Sequence, residues 1–432
     1  MFSGRVRFVV TAARVCASAA AGVEATAATG GWDRPEVLAR DGVATDTAVA
    51  ATGDMAVAVM RAGTVRVVLR PAGGDWRRPV TLGGSGYAED ANVAYDHAGR
   101  LWLAWLDNQD RPTVLVRHSR PGGGWSKARV VASRARGSFT GLQLELGSPM
   151  RAAAAWRWVN LPRLGNGRLL LAERTPGKAW RMTGHVDEVW DLHLSLGGSG
   201  QAAVMMSRLG PGAVDETVTV MLRPAGASWS APVELASIAD SDRIIGLGTV
   251  AVDGAGTTTA VWRDRTDAGV WQVWAARADD SGTWAPPVLV GSRAAPNLWA
   301  PPRVLGTDAG VTVAIWNRAD LSLVAARFVQ GAWTDPVRVS GSDAAYWDAA
   351  ADSTGRVVAV WSPPDQVDEP GYGVRASLMG RRGVWSPRAT VAPRTARVLY
   401  PLAAMDHRDA LAVWWHIPGD LSQVRGSTHL HR

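Results

Sequence analysis

Eight tryptophans (Trp32, Trp76, Trp125, Trp180, Trp229, Trp284, Trp333 and Trp385) recur at gaps of 44 to 55 residues through a chain of 432. Self-similarity near fifty residues, held along the whole chain, restricts it to a repeat architecture. Length alone would suggest two or three domains, but stacked repeats let one domain reach this size. The wording around each Trp also repeats: "RPAGGDWRRPVTL" from Arg70 returns as "RPAGASWSAPVEL" from Arg223 and "VQGAWTDPVRV" from Val329.

The local grammar is that of β-structure. Gly lies two residues before the Trp in six units and three before it in the other two (Gly177, Gly226), where a tight turn needs positive φ. Pro follows three residues later at Pro35, Pro79, Pro232, Pro287 and Pro336, which places it at the start of an edge strand. Upstream, "NVAYDHAGRLWLAW" (92–105), "VAVDGAGTTTAVW" (250–262) and "DAAADSTGRVVAVW" (348–361) each join two short apolar runs through Asp-x-x-Gly. A third run, such as "VTVMLRP" (218–224), precedes the Gly turn. These runs are too short for helices and rich in β-branched residues. Each period therefore predicts a meander of four strands, which is the grammar of a β-propeller blade.

After Trp385 three runs follow and no further Gly–Trp strand, whereas a lone strand, "GWDRPEVLA", opens the repeat region. The expectation is an all-β, eight-bladed propeller of four-stranded antiparallel blades in which residues 32–39 complete the C-terminal blade. Seven blades is the alternative count. The fourth unit departs most from the pattern, with Met205 and Met206 where other units place Trp.

A second Trp set ends the second run of six of the eight units: Trp105, Trp156, Trp262, Trp316, Trp361 and Trp414. Both sets are expected to fill the gap between neighbouring sheets. The Gly-bearing hairpin before Trp resembles the Asp-box hairpins of sialidase-type propellers, whose motif reads Ser-x-Asp-x-Gly-x-x-Trp. The nearest stretch is "RADDSGTW" (277–284), with Asp279 five before Trp284, Arg277 in the place of Ser, and Gly282 one place late. The resemblance implies a propeller. A sialidase would also need an Arg triad and a Tyr nucleophile with a Glu base. The family's Arg-Ile-Pro stretch is absent, and Tyr87, Tyr95, Tyr346, Tyr372 and Tyr400 have no Glu partner by spacing.

The N-terminus reads as a targeting segment, 1–27, with Arg5 and Arg7 before a small-residue apolar stretch and an A-x-A site ending at Ala27; Arg14 interrupts the run. Residues 28–432 then form one domain of an exported protein. The single Cys16 lies in the leader, so the mature chain has no thiol to pair or to bind metal. No stretch is long and apolar enough to span a membrane. All but Lys127 and Lys178 of the 46 basic residues are Arg, scattered singly among acids, so the net charge of +7 describes a modestly basic surface and not a nucleic-acid footprint.

No P-loop, G-x-S-x-G or dinucleotide fingerprint is present, and no cofactor or metal is expected. The densest polar cluster, "GHVDEVWDLH" (184–193), reads as a solvated turn between the third and fourth units. In a propeller the loops from strand four to the next strand one share a face with those from strand two to strand three. They carry Tyr87, Asp90, Trp190, Trp299, Tyr346, Trp347, Asp348 and Tyr400 from the first kind, and Arg157, Arg263 and Arg318 from the second. Aromatic faces beside carboxylates and Arg make a platform for a sugar or polymer. The expected function is a secreted, monomeric, non-catalytic binding module for carbohydrate or a cell-surface polymer. A sialidase-like glycoside hydrolase and a protein-interaction scaffold are the alternatives.

Overall fold

The computed structural model describes residues 31–120, 123–147, 151–159, 167–209, 216–238, 246–295, 301–363, 373–392, 397–406, 409–417 and 423–430. The targeting segment 1–27 and Trp299 lie outside them. Among the described residues every regular element is a β-strand, sheet pairings are antiparallel, and no helix is long and apolar enough to cross a membrane.

The unit is a four-stranded meander. Val43–Val49, Met55–Arg61, Thr64–Arg70 and Val80–Gly83 pair in chain order. The same order builds the sheets spanning 88–133, 246–292, 303–338 and 346–392. Consecutive sheets stack face to face, and the first strand of each packs on the first strand of the next, a propeller-like arrangement. The first strand of the first sheet, Val43–Val49, packs on Arg397–Met405, the first strand of the C-terminal sheet.

The fourth strand differs from expectation in a regular way. It does not start at the Trp. Trp125, Trp284 and Trp385 make isolated bridges to the end of strand three, and the ladder resumes only after a break. In the 303–338 sheet the two pieces are Ala332–Trp333 and Val337–Arg338, with Pro336 just before the second. Proline has no N–H to give the ladder, so pairing breaks beside it and re-forms beyond it.

"GHVDEVWDLH" is not a turn. It lies within one continuous strand, Arg181–Leu196, which is the last strand of one meander and the first of the next, so the two meanders join in a seven-stranded sheet. Its register slips between Val189 and Asp191, and Glu188 has φ 64°, so a bulge, not a loop, redirects the chain.

The chain's ends meet. Glu36–Arg40 pairs with Gln423–Leu430, placing an N-terminal strand at the outer edge of a sheet otherwise built from residues 397–430. Beyond the ladder, Ser427 Oγ donates to the Asp33 carbonyl at 2.6 Å, and Thr428 Oγ1 donates to the Asp33 carboxylate. Arg70, from the next sheet, donates to Thr428 Oγ1 at 2.8 Å.

Between the sheets lie the indoles that end strand two; Trp105, Trp156, Trp262, Trp316, Trp361 and Trp414 are all buried, as their repetition demands. The Trp preceding each fourth strand is only half-buried in every unit but one, Trp32. Met205 and Met206 occupy the core of the fourth unit in place of Trp.

First strands have one edge with no strand partner, a liability that must be managed. Here polar side chains of one first strand take hydrogen bonds from the backbone of the next. Asp46 accepts from Val93 N at 2.8 Å, Gln143 from Leu194 N at 2.6 Å, and His193 Nδ1 from Val250 N at 3.3 Å. Thr249 accepts from Val304 N at 2.7 Å and Asp348 from Ala403 N at 2.8 Å. Asp348 also pairs with Arg303. Asp348 therefore tethers two sheets and is buried, which corrects its expected place on the binding face.

Candidate functional site

The loop face is formed where first strands begin and second strands end. Most first strands begin with a bulge. Register slips fall between Glu89 and Asn92, between Val189 and Asp191, and between Leu399 and Leu402. Asp90 and Tyr400 sit there at φ 46° and 48°, a conformation that turns the side chain out of the regular alternation.

The structure brings together two of the expected residues. Arg157, near the end of Arg151–Val159, lies over the Trp190 ring, 5.7 Å from its centroid. Trp190 is 47% exposed. Asp90 Oδ2 accepts from Gly141 N at 2.7 Å, which fixes the carboxylate at the start of the neighbouring first strand. Burial lowers the Arg157 pKa, while the charges of Asp191 and Asp90 raise it. Burial in turn raises both carboxylates; Gly141 and Leu142 N–H groups and the Arg157 charge oppose this at Asp90, and the Leu192 N–H and Arg157 oppose it at Asp191. The guanidinium thus lies over a half-exposed indole, with the charges of two carboxylates acting on it from beyond ion-pair distance. Tyr87, 58% exposed, is three residues from Asp90.

Two more expected aromatics meet each other. Tyr346 and Tyr400 contact edge to face, centroids 5.0 Å apart at 62°. Asn108 is a scaffold between loops: its side chain accepts from Phe139 N at 2.9 Å and donates to Phe139 O at 2.8 Å.

Other expected residues are structural. Trp347 is buried among Ile315, Leu323 and Trp361, because alternation along Tyr346–Ala351 aims it between sheets. Arg263 is 1% exposed, donates to the Ala295 carbonyl at 2.7 Å, and lies over Trp271; burial pushes its pKa down to about 10. Arg318 is half-buried, and its backbone N–H donates to Ser322 O at 2.8 Å to close a turn.

Neither of two sizeable recesses lies on this face. A groove of about 680 Å³ runs between outer edges beside Trp284, Phe328 and Trp333. A recess of about 560 Å³ lies at the opposite ends of the first strands, beside Tyr95, His97 and Asp308.

No family model and no curated protein sequence matches the chain. Among solved structures it is similar to a protein of unknown function from Dyadobacter fermentans, at 16% identity and TM-score 0.43, covering 80% of this chain and 95% of that one. It is similar to a Hadza microbial sialidase at 13% identity and TM-score 0.40, covering 83% and 81%. It is also similar to a Penicillium chrysogenum alpha-L-arabinanase at 10% identity and TM-score 0.41, covering 68% and 93%. The resemblance to sialidase-type structures is one of fold level.

Residues that sequence reasoning passed over line the inner edges of the sheets. Burial raises Asp46 to about 7, against the Val93 and Thr47 N–H groups, with Asp348 adding to the rise. Burial and the Asp46 charge raise Glu145 to about 8. Burial and Arg303 push His193 down to about 3, and its Nδ1 must stay unprotonated to accept from Val250. The signal was present in sequence as single polar residues inside apolar first strands, "VATDTAV" and "LQLELG".

Proposed function

We propose that the mature chain, residues 28–432, is an exported single-domain propeller of eight blades that binds carbohydrate or a cell-surface polymer at its loop face without catalysing a reaction. Eight meanders result when Arg181–Leu196 is shared between two, and the contact of Val43–Val49 with Arg397–Met405, together with the pairing of Glu36–Arg40, supports a ring joined at its ends. A single carrying observation supports the binding reading: the half-exposed Trp190 ring has the Arg157 guanidinium over it. An exposed ring face takes the apolar face of a pyranose. The guanidinium beside it offers donors to hydroxyls.

A glycan array probed with the purified mature chain tests this. Binding that is lost in Trp190→Ala while the thermal transition is kept supports the reading; no bound glycan overturns it. Hydrolysis of a bound glycan would replace the module with an enzyme.

A further inference from the structure

On the face opposite the loop face, where Val374–Met379 turns toward Ala389–Ala392, an open recess of about 610 Å³ is lined by Arg356, Gly380, Arg381, Arg382 and Val384. Going beyond the loop-face reading, we propose that this recess is a second binding site, which takes a sulfate or phosphate ester carried on a polymer.

Backbone contacts place the arginines. Gly383 N donates to Gly380 O at 2.8 Å and Gly380 N to Val384 O at 3.0 Å, which closes a turn with Arg381 and Arg382 exposed at its tip. Arg356, from the neighbouring hairpin, is held by Asp352, Nε to Oδ2 at 2.7 Å, and its Nη2 donates to the Asp406 carbonyl at 2.9 Å. Arg327, from the preceding sheet, backs the turn: its Nη1 donates to Arg382 O at 3.2 Å, and a Cβ on Gly383 would collide with its guanidinium. Of these four guanidiniums only Arg356 is ion-paired; Arg327, Arg381 and Arg382 have no acidic partner among the described residues. A concave wall of one charge sign concentrates ions of the other. Guanidinium forks match the oxygens of phosphate, sulfate and carboxylate. A sulfate or phosphate monoester presents three acceptor oxygens, enough for both turn arginines at once, where a carboxylate presents only two. The recess is far larger than one oxyanion, so the chain bearing the ester has room, and Val384, 71% exposed, gives that chain an apolar contact.

The test sets the full mature chain against immobilised dextran sulfate, dextran phosphate and oligogalacturonate. Affinity is read as the excess over unmodified dextran, which separates this site from sugar binding at the loop face. Excess affinity for dextran sulfate or dextran phosphate is expected, and the one preferred names the ester. Arg381→Ser with Arg382→Ser alters an exposed tip, so it should keep the thermal transition and lower that affinity by about tenfold or more. Arg77→Ser with Arg78→Ser removes the same charge from exposed positions of another sheet, and should lower it by less than about threefold. No excess affinity for either ester overturns the proposal. Equal losses in the two double variants overturn it too, because the general basic surface would then account for the binding. Oligogalacturonate bound as tightly as the esters overturns the choice of ligand.

Discussion

Gly83, in the fourth strand of one sheet, lies so close to Trp105 of the next that a Cβ there would come within 2.5 Å of the indole. Gly291 stands in the same relation to Trp316, at 2.4 Å. These are notches cut for a neighbour's ring, not turns. Gly83→Ala and Gly291→Ala should each cost about 1–3 kcal/mol, as overpacking does. Gly73→Ala meets nothing within 4 Å and is strained only by its φ of 67°. Thermal melts of the three variants decide: Gly83→Ala no worse than Gly73→Ala would mean that the sheets do not interlock there.

The buried indoles are not equivalent. Trp361 Nε1 donates to Asp343 at 3.2 Å, whereas Trp105, Trp156 and Trp316 Nε1 have no hydrogen-bond partner among the described residues. Replacing a paired donor leaves its acceptor unsatisfied, while removing an unpaired one does not. Trp361→Phe should therefore destabilise by about 1 kcal/mol or more beyond Trp316→Phe. Denaturant titrations of both variants give the comparison, and equal losses would contradict it.

These contrasts show what the sequence carries and what it hides. The Trp period, the Asp-x-x-Gly hairpins and the lone first strand are local signals, and each is visible because the turn chemistry is repeated. Asp352 illustrates it: the carboxylate accepts from the Thr354 and Arg356 N–H groups at 2.9 Å each, so the motif is its own structure. What stays hidden depends on bulges. Glu188 at φ 64° turned an expected loop into a strand, and no composition rule places Trp347 inward and Trp190 outward. The face a residue takes is set by one-residue slips in register, which flip every side chain beyond them. Asp90, Arg157 and Trp190 were legible as residue types on shared loops; that Arg157 lies over Trp190, while Arg263 and Asp348 turn inward, is tertiary.

The inner edge predicts opposite pH responses from neighbouring groups. Glu145 rises from 4.5 to about 8 on folding and Asp46 from 3.8 to about 7. A raised carboxylate gives stability that is complete below its unfolded pKa and lost as pH rises through the folded one. Glu145→Gln and Asp46→Asn should therefore raise Tm at pH 8.5 and leave it nearly unchanged at pH 4. The amide that replaces the Asp46 carboxylate keeps an acceptor for Val93. A melt series from pH 4 to 9 with parallel wild-type and variant curves would show that these acids ionise freely in the fold.

His193 has the reverse sign. Its pKa falls from 6.5 to about 3, so its contribution is full above pH 6.5 and is lost as pH falls toward 3. His193→Asn removes the titration while offering an oxygen to Val250. The variant should melt higher than wild type at pH 4 and equal to or below it at pH 7.5. Histidine NMR titration provides an independent check: an imidazole titrating near 6.5 in the native chain would sink the assignment.

The joined ends carry the last prediction. Glu36–Arg40 covers the outer edge of Gln423–Leu430, and Leu38, Ala39 and Trp32 are buried by doing so. Asp33 is the clasp, since it accepts from both Ser427 and Thr428 and faces Arg70 at 3.9 Å from the next sheet. Asp33→Ala removes only the carboxylate contacts and should lower Tm modestly. Deleting residues 31–40 removes the strand, its apolar burial and the cover on an edge whose N–H and C=O groups then face water. Such an edge templates pairing with a second chain. The deletion should melt far lower than Asp33→Ala and elute from size exclusion as a larger species than wild type, and a synthetic 31–40 peptide in excess should return it toward the wild-type elution volume by mass action. A deletion that elutes and melts as wild type would mean that the N-terminal strand is an ornament on the sheet and not part of what holds it together.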